Sequence, residues 1–296
     1  MVRGSEYAPA STAPSDHSAV LPIDSLPSAL VEFETIRARI DGFIPVLCLD
    51  FDGTLSPIVD DPASARLLDG VEHVLERLVQ LVPILVLSGR DAYDVRERVG
   101  IDGVLYAGSH GFDVLEADGH HEPNAEAVAY LPHLDALEAR LRAETASVVG
   151  AEVDRKRFGV AVHDRRVAEE DFDRLWATVN SAEQAFPMLR PMRGKRVTEF
   201  LPEIDWNKGR ALLWLLGRAG YRSDLAVPVC IGDDVTDEDA LRVVRGIGVG
   251  VVVGAGSRPS AATYALRDPG EVLVFLGRLA AFLEAREPHD DAPPAS

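Results

Sequence analysis

The chain has 296 residues, 47% hydrophobic and 26% charged, enough for one large soluble domain or two modest ones. Its formal net charge of −18 argues against a general nucleic-acid binder, which would present a basic face to phosphate. No apolar run reaches the roughly 18–20 residues needed to span a bilayer, so no membrane partner is expected.

The opening stretch is rich in Ala, Ser and Pro and lacks an apolar signal core. Residues 1–25 therefore read as a disordered tail. Ile44–Leu49 is a short apolar run suited to a strand buried on both faces. Residues 69–81 carry apolar side chains at helical spacing, and Ile84–Leu87 reads as a second buried strand ending in "SGRD". "DAYDVRERVG" is a helix closed by Gly100. Val104–Ala107 is a third strand, ending in "GSHGF". This βαβαβ order implies a parallel sheet with right-handed crossovers. Cys48 and Cys230 both sit inside apolar runs and read as small buried hydrophobes of a reducing, cytoplasmic protein.

The pattern then changes. "HLDALEARLRAETA" and "VAEEDFDRLWATVNSA" are helices, "RFGVAVHDR" alternates like a half-exposed strand, and "MLRPMRGKRVTEFLP" reads as one or two more strands. Residues 112–200 thus form a small α+β insertion between 26–111 and 201–285. The first style resumes with the helix "DWNKGRALLWLLGRAG", the buried strand Ala226–Ile231 and the helix "TDEDALRVVR". Short strands at Ile247–Val253 and Thr263–Leu266 precede a closing helix, and residues 286–296 read as a second tail.

The polar residues that carry chemistry all follow strands. In "DFDGT", Asp50 and Asp52 point to the same side of an extended chain, at a cost in mutual repulsion that a divalent cation would relieve. Gly53 permits a tight turn and Thr54 adds a hydroxyl, so the loop can cradle an anion. Such a pair suits phosphoryl transfer, with one aspartate as nucleophile and the other as acid and base. Ser88 follows the second strand and can donate to a phosphate oxygen. Lys208 lies in the first turn of a helix capped by Asp205 or Asn207, placed to meet a bound anion. "GDDVTDED" crowds five acids behind a buried strand. Asp233, nearest the strand end, suits a hard cation such as Mg²⁺. Whether Asp234 or Asp237 assists the cation or Lys208 stays open.

These four pieces, in this order, resemble the haloacid dehalogenase superfamily of phosphohydrolases. The resemblance implies an α/β fold: a Rossmann-like parallel-sheet core with an inserted smaller α+β cap. It also implies that Asp50 attacks phosphorus and forms an aspartyl-phosphate, while Asp52 protonates the leaving alkoxide and then activates water. Ser88 and Lys208 would hold the phosphoryl group. Asp50, the backbone carbonyl of Asp52, and Asp233 would bind Mg²⁺. The longer strings "DFDGTLSPIVDDP", "AGSHGF", "RKRFGVAVHDR", "RGKRVTEFLP" and "GDDVTDEDA" resemble trehalose-6-phosphate phosphatases. That implies a sugar phosphate as the small-molecule partner. The substrate would be held by Asp50, Phe51, Asp52, Gly53, Thr54, Ser88, Gly89 and Arg90 at the core, and by His110 and Gly111 where the chain leaves it. In the insertion the matching positions are Lys156, Arg193, Lys195 and Glu199, the last two on one strand face. Another sugar-phosphate phosphatase and a silent sugar-phosphate binder are the alternatives, and a monomer is favoured.

Overall fold

The structure is a computed structural model and describes residues 20–59, 61–194, 196–218 and 225–286. The first half runs β1 (Leu21–Pro22), α1 (Phe33–Ile40), β2 (Ile44–Leu49), α2 (Val71–Val79), β3 (Ile84–Leu87), α3 (Ala92–Val99), β4 (Leu105–Gly108), β5 (Asp113–Leu115) and β6 (His121–Pro123). The middle holds α4 (Ala125–Val128), α5 (Leu131–Thr145), β7 (Glu152–Lys156), β8 (Gly159–His163), α6 (Phe172–Ala185), β9 (Leu189–Gly194) and β10 (Val197–Pro202). The rest comprises α7 (Lys208–Arg218), β11 (Ala226–Gly232), α8 (Glu238–Val244), β12 (Val249–Val253), β13 (Pro259–Ser260), β14 (Tyr264–Leu266) and α9 (Pro269–Glu284).

Eight strands form one sheet in the order β14-β12-β11-β2-β3-β4-β5-β6. Pairing is parallel from β14 to β4 and antiparallel across β4, β5 and β6. The fold is therefore α/β with a mostly parallel central sheet. Period-2 alternation divides each strand between two apolar layers. Leu47, Leu49, Ile84 and Val86 pack with α1, α2, α3 and α9, while Val46, Cys48, Leu85 and Leu87 pack with α7 and α8. With both faces covered, the strands read as continuous apolar runs.

A second, antiparallel sheet has the order β7-β8-β10-β9. Val160, Val162 and Phe200 turn one of its faces to Leu134, Leu137 and Leu141 of α5 and to Leu175 and Val179 of α6. Its other face carries Lys156 and Glu199.

Two boundaries and one strand differ from the sequence reading. Residues 113–123 add β5 and β6 to the larger sheet, so that sheet extends past 112. Leu21 and Pro22 pair with Ser260 and Pro259, and Ile23 is buried, so residues from 21 on are tied to the fold rather than part of a tail. Residues 1–19 and 287–296 of the two expected tails lie outside the described residues. The strand β7 was not expected at all. Among the described residues no helix is long and apolar enough to cross a membrane.

Candidate active site

Asp50, Ser88, His110 and Asp233 stand just beyond the carboxyl ends of β2, β3, β4 and β11, which are neighbours in the sheet. Open α/β sheets bind ligands at this edge. Gly53 is required by the turn after β2. Its φ is +75°, and a Cβ there would come within 2.1 Å of Asp233 Oδ2. A Cβ on Gly232 would likewise meet Asp237 Cγ at 2.3 Å. Two glycines thus let two carboxylates lie directly against the backbone.

Lys208 opens α7, whose first turn is capped by Asn207: Arg210 N donates to Asn207 Oδ1 at 2.9 Å. The lysine is 3% exposed, and its Nζ donates to Asp50 Oδ1 at 2.8 Å and to Asp237 Oδ1 at 2.7 Å. Burial alone would lower the Lys208 pKa, but Asp237 and Asp50 outweigh it and hold the group as an ammonium well above its ordinary range. The other Asp237 oxygen accepts from Asp234 N at 3.0 Å, so both of its oxygens are engaged. Sequence reasoning left open whether Asp237 meets Lys208, and the structure places it against that lysine. Its spacing of four from Asp233 was the available signal.

Asp50, Asp233 and Asp237 each offer an oxygen within 4.8 Å of the others'. Burial pushes the Asp50 carboxyl well up, with Asp237 and Asp233 adding to it against the pull of Lys208. Burial, then Asp237 and Asp234, pushes Asp233 up to about 7. Hard oxygen donors crowded into a buried site with one ammonium between them leave negative charge in excess, and a hard divalent cation fits that donor set. The Asp52 carboxylate is elsewhere. Arg90 donates to it from Nε and from Nη2, both at 2.7 Å.

Ser88 is buried, and its Oγ accepts from Arg90 N at 3.2 Å. Thr54 is fully buried, and among the described residues its Oγ1 has no hydrogen-bond partner. An orphaned buried hydroxyl in a loop at the sheet edge is a place for a polar ligand. The Phe51 ring packs in the apolar layer beneath the sheet edge, under the Arg90 guanidinium, which leaves its backbone to meet a ligand.

A second polar group faces this edge from the smaller sheet. Lys156 Nζ donates to Glu199 Oε1 at 2.7 Å, and His110 Nε2 lies 3.2 Å from Glu199 Oε2. Burial would raise the Glu199 pKa, but Lys156 foremost, with His110 behind it, holds it down at about 2. Burial lowers the His110 pKa against Glu199, and its Nδ1 has no partner among the described residues. His110 sits at φ +60°, a conformation uncommon outside glycine, and its N donates to Ser88 O at 2.9 Å. It therefore touches both polar groups. Its ring also explains Gly89, where a Cβ would come within 2.8 Å of His110 Cε1. Gly111 follows at φ +89°, with Ala211 of α7 against it.

One expected contact does not join this group. Arg193 pairs across β9–β10 with Thr198, one residue out of phase with Glu199. Its guanidinium therefore turns to the helical side, donating to Glu183 at 2.9 Å and lying over Trp176. Lys195 lies outside the described residues. The strand β10 begins at Val197, after Arg196 at φ +66°.

A family model described as trehalose-phosphatase matches residues 48–270. The chain is 44% identical over 275 residues to an uncharacterized glycosyl hydrolase of Mycobacterium tuberculosis, covering 91% of this chain and 21% of that protein. It is 44% identical over 247 residues to the trehalose-phosphate phosphatase of the same organism, covering 81% of this chain and 63% of the relative. The chain thus spans about a fifth of the first relative's length and less than two thirds of the second's. The C-terminal domain of C. albicans trehalose-6-phosphate phosphatase superposes with a TM-score of 0.71 at 24% identity, covering 86% of this chain and 99% of that domain. At that identity the likeness is one of fold.

Proposed function

The chain belongs to the trehalose-phosphatase family, and from that premise we propose that it is a Mg²⁺-dependent phosphatase. Its substrate would be trehalose 6-phosphate, hydrolysed through an aspartyl-phosphate on Asp50. The observation that carries this reading is the buried Asp50–Lys208–Asp237 chain at the sheet edge, with Asp233 against it and the Glu199–Lys156–His110 group facing it.

One Asp50 carboxylate oxygen attacks phosphorus, and the bond from phosphorus to the sugar oxygen breaks. The Asp52 carboxyl gives its proton to the departing alkoxide. Asp52, now a carboxylate, takes a proton from water as that water attacks the phosphoryl group. Asp50 is released and phosphate leaves. Lys208 keeps the nucleophile oriented and sets a positive charge beside the incoming phosphoryl group, and Asp237 keeps Lys208 in place. Ser88 and Thr54 offer hydroxyls to phosphoryl oxygens. A Mg²⁺ ion held by Asp50, Asp233 and the backbone carbonyl of Asp52 would supply further positive charge to the same oxygens. Asp237 is the poorer ligand because both of its oxygens are engaged.

The smaller sheet, as a cap, reads the sugar. Glu199 accepts from hydroxyls and Lys156 donates to them. Phosphate release should be measured over a panel of sugar phosphates: trehalose 6-phosphate, sucrose phosphate, a phosphorylated glyceryl glycoside and glucose 6-phosphate. The reading expects trehalose 6-phosphate to show the highest kcat/KM by at least about tenfold, a difference of roughly 1.4 kcal/mol. Higher turnover of another sugar phosphate would reassign the substrate, and no release from any would remove the enzymatic reading.

A further inference from the structure

Arg90 follows the second strand of the site, where the family resemblance implies a substrate contact. Its surroundings point elsewhere. The guanidinium donates from Nε to Asp52 Oδ2 and from Nη2 to Asp52 Oδ1, both at 2.7 Å. Nη2 also donates to Pro62 O at 3.0 Å, and Nη1 to Asp94 Oδ2 at 3.1 Å. Its planar face lies over the Phe51 ring, 5.3 Å from the centroid. Asp94 is itself held by Arg98, whose Nε donates to both of its oxygens at 2.9 Å. Arg98 in turn is fixed by the carbonyls of Ala63 and Ala65. The side chain of Arg90 is 12% exposed, so it is packed as well as bonded.

We propose that Arg90 is a positioning residue for Asp52, not a substrate contact: the Arg98–Asp94–Arg90 chain holds the Asp52 carboxylate in one orientation. This rests on the reading of Asp52 as acid and base given above. A bidentate arginine fixes both the place and the plane of a carboxylate, which a lysine cannot do. The Asp52 side chain is 37% exposed, and without that fork nothing among its described contacts would hold it in one rotamer. Two anchors outside the site, Asp94 and Pro62, keep the guanidinium in place when Asp52 turns toward a leaving group. Arg90 thus defines the resting place to which Asp52 returns, and the carboxylate form that it binds is the form that receives a proton from water.

Leaving-group dependence separates this role from a phosphate contact. A sugar alkoxide needs a proton as it departs, whereas 4-nitrophenolate does not. A correctly placed acid is worth about 10²–10⁴-fold where a proton must be supplied. The experiment measures kcat/KM for trehalose 6-phosphate and for 4-nitrophenyl phosphate, and inhibition by inorganic phosphate. It uses the full wild-type chain and its Arg90→Gln and Arg90→Lys variants. The expected result is that Arg90→Gln loses at least about tenfold more on the sugar substrate than on the aryl one. Phosphate inhibition should stay within about twofold of wild type, and Arg90→Lys should lie closer to Gln than to wild type. Equal losses on both substrates together with weakened phosphate inhibition would make Arg90 a phosphate contact and overturn the proposal. Equal losses with unchanged inhibition would reduce it to a structural role and also overturn it. If the wild-type chain hydrolyses neither substrate, the functional reading fails by itself. The positioning claim is then decided by crystal structures of wild type and of both variants. Asp52 in one rotamer in wild type and in several in the variants supports it, and the same rotamer in all three overturns it.

Discussion

Glu199 is a buried carboxylate whose charge is maintained chiefly by Lys156, with His110 beside it, and this has a consequence for acid stability. Its pKa lies at about 2 in the folded chain, below the value of an unfolded glutamate. A depressed carboxyl contributes stability that is present above the unfolded pKa and is lost as pH falls through the folded one. The window is therefore from about pH 4.5 down to about 2, and the contribution at neutral pH is roughly 3 kcal/mol. Urea unfolding of wild type and Glu199→Gln across that window should show the variant losing stability less steeply, and parallel slopes would sink the assignment. Asp237 makes a different test. Removing it leaves the Lys208 ammonium buried with Asp50 as its remaining carboxylate partner, so Asp237→Ala should cost about 3–5 kcal/mol in unfolding free energy. It should also cut turnover, because Lys208 loses its anchor. A variant within about 1 kcal/mol of wild type would mean that Lys208 does not depend on this pair. At this scale the sequence was legible for placement: the strand-end motifs bring Asp50, Lys208 and Asp233 to one edge, while the Asp52 carboxylate turns to Arg90. It was not legible for Arg90 or Arg193, because charge alone does not say which neighbour a long side chain will meet.

The loop that links β2 to α2 and the loop after β11 form one device. Each ends a strand buried on both faces, and each has a glycine onto which a carboxylate of the second loop packs. Gly53→Ala would impose a side chain at φ +75° and drive it into Asp233. The expected result is a loss of at least about 1 kcal/mol in stability and a weaker rise in Tm on adding Mg²⁺, since Asp233 is displaced. An unchanged Tm response would separate Asp233 from the cation. Elements such as β2, β3 and β11 were legible because strands covered on both sides must be continuously apolar. By contrast β7 reads Glu-Val-Asp-Arg-Lys, with only Val153 in the apolar layer, and β5 and β6 are three residues each. Such strands are set by their partners rather than by their own pattern. The expected strand face shared by Lys195 and Glu199 falls partly outside the described residues.

Over the whole molecule, two sheets present polar groups to one another, and His110 touches both. The larger sheet supplies an acidic, lysine-anchored edge suited to phosphoryl chemistry, and the smaller supplies Glu199 and Lys156. The net charge of −18 makes those few inward cations the natural counterpart of an anionic substrate. The family and the α/β class were readable because three short motifs at strand ends and a lysine opening a helix come in a set order. How the two sheets face each other was not, since it depends on the left-handed turn at His110 and on side chains far apart in sequence. The central claim is that phosphate leaves trehalose 6-phosphate by way of Asp50. It is tested most directly by measuring phosphate release from that substrate with wild type in Mg²⁺, wild type in excess chelator, and Asp50→Asn in Mg²⁺. The account predicts release in the first case and a fall of at least about 10³-fold in the other two, several kcal/mol of barrier stabilisation. Turnover by Asp50→Asn close to that of wild type would contradict it.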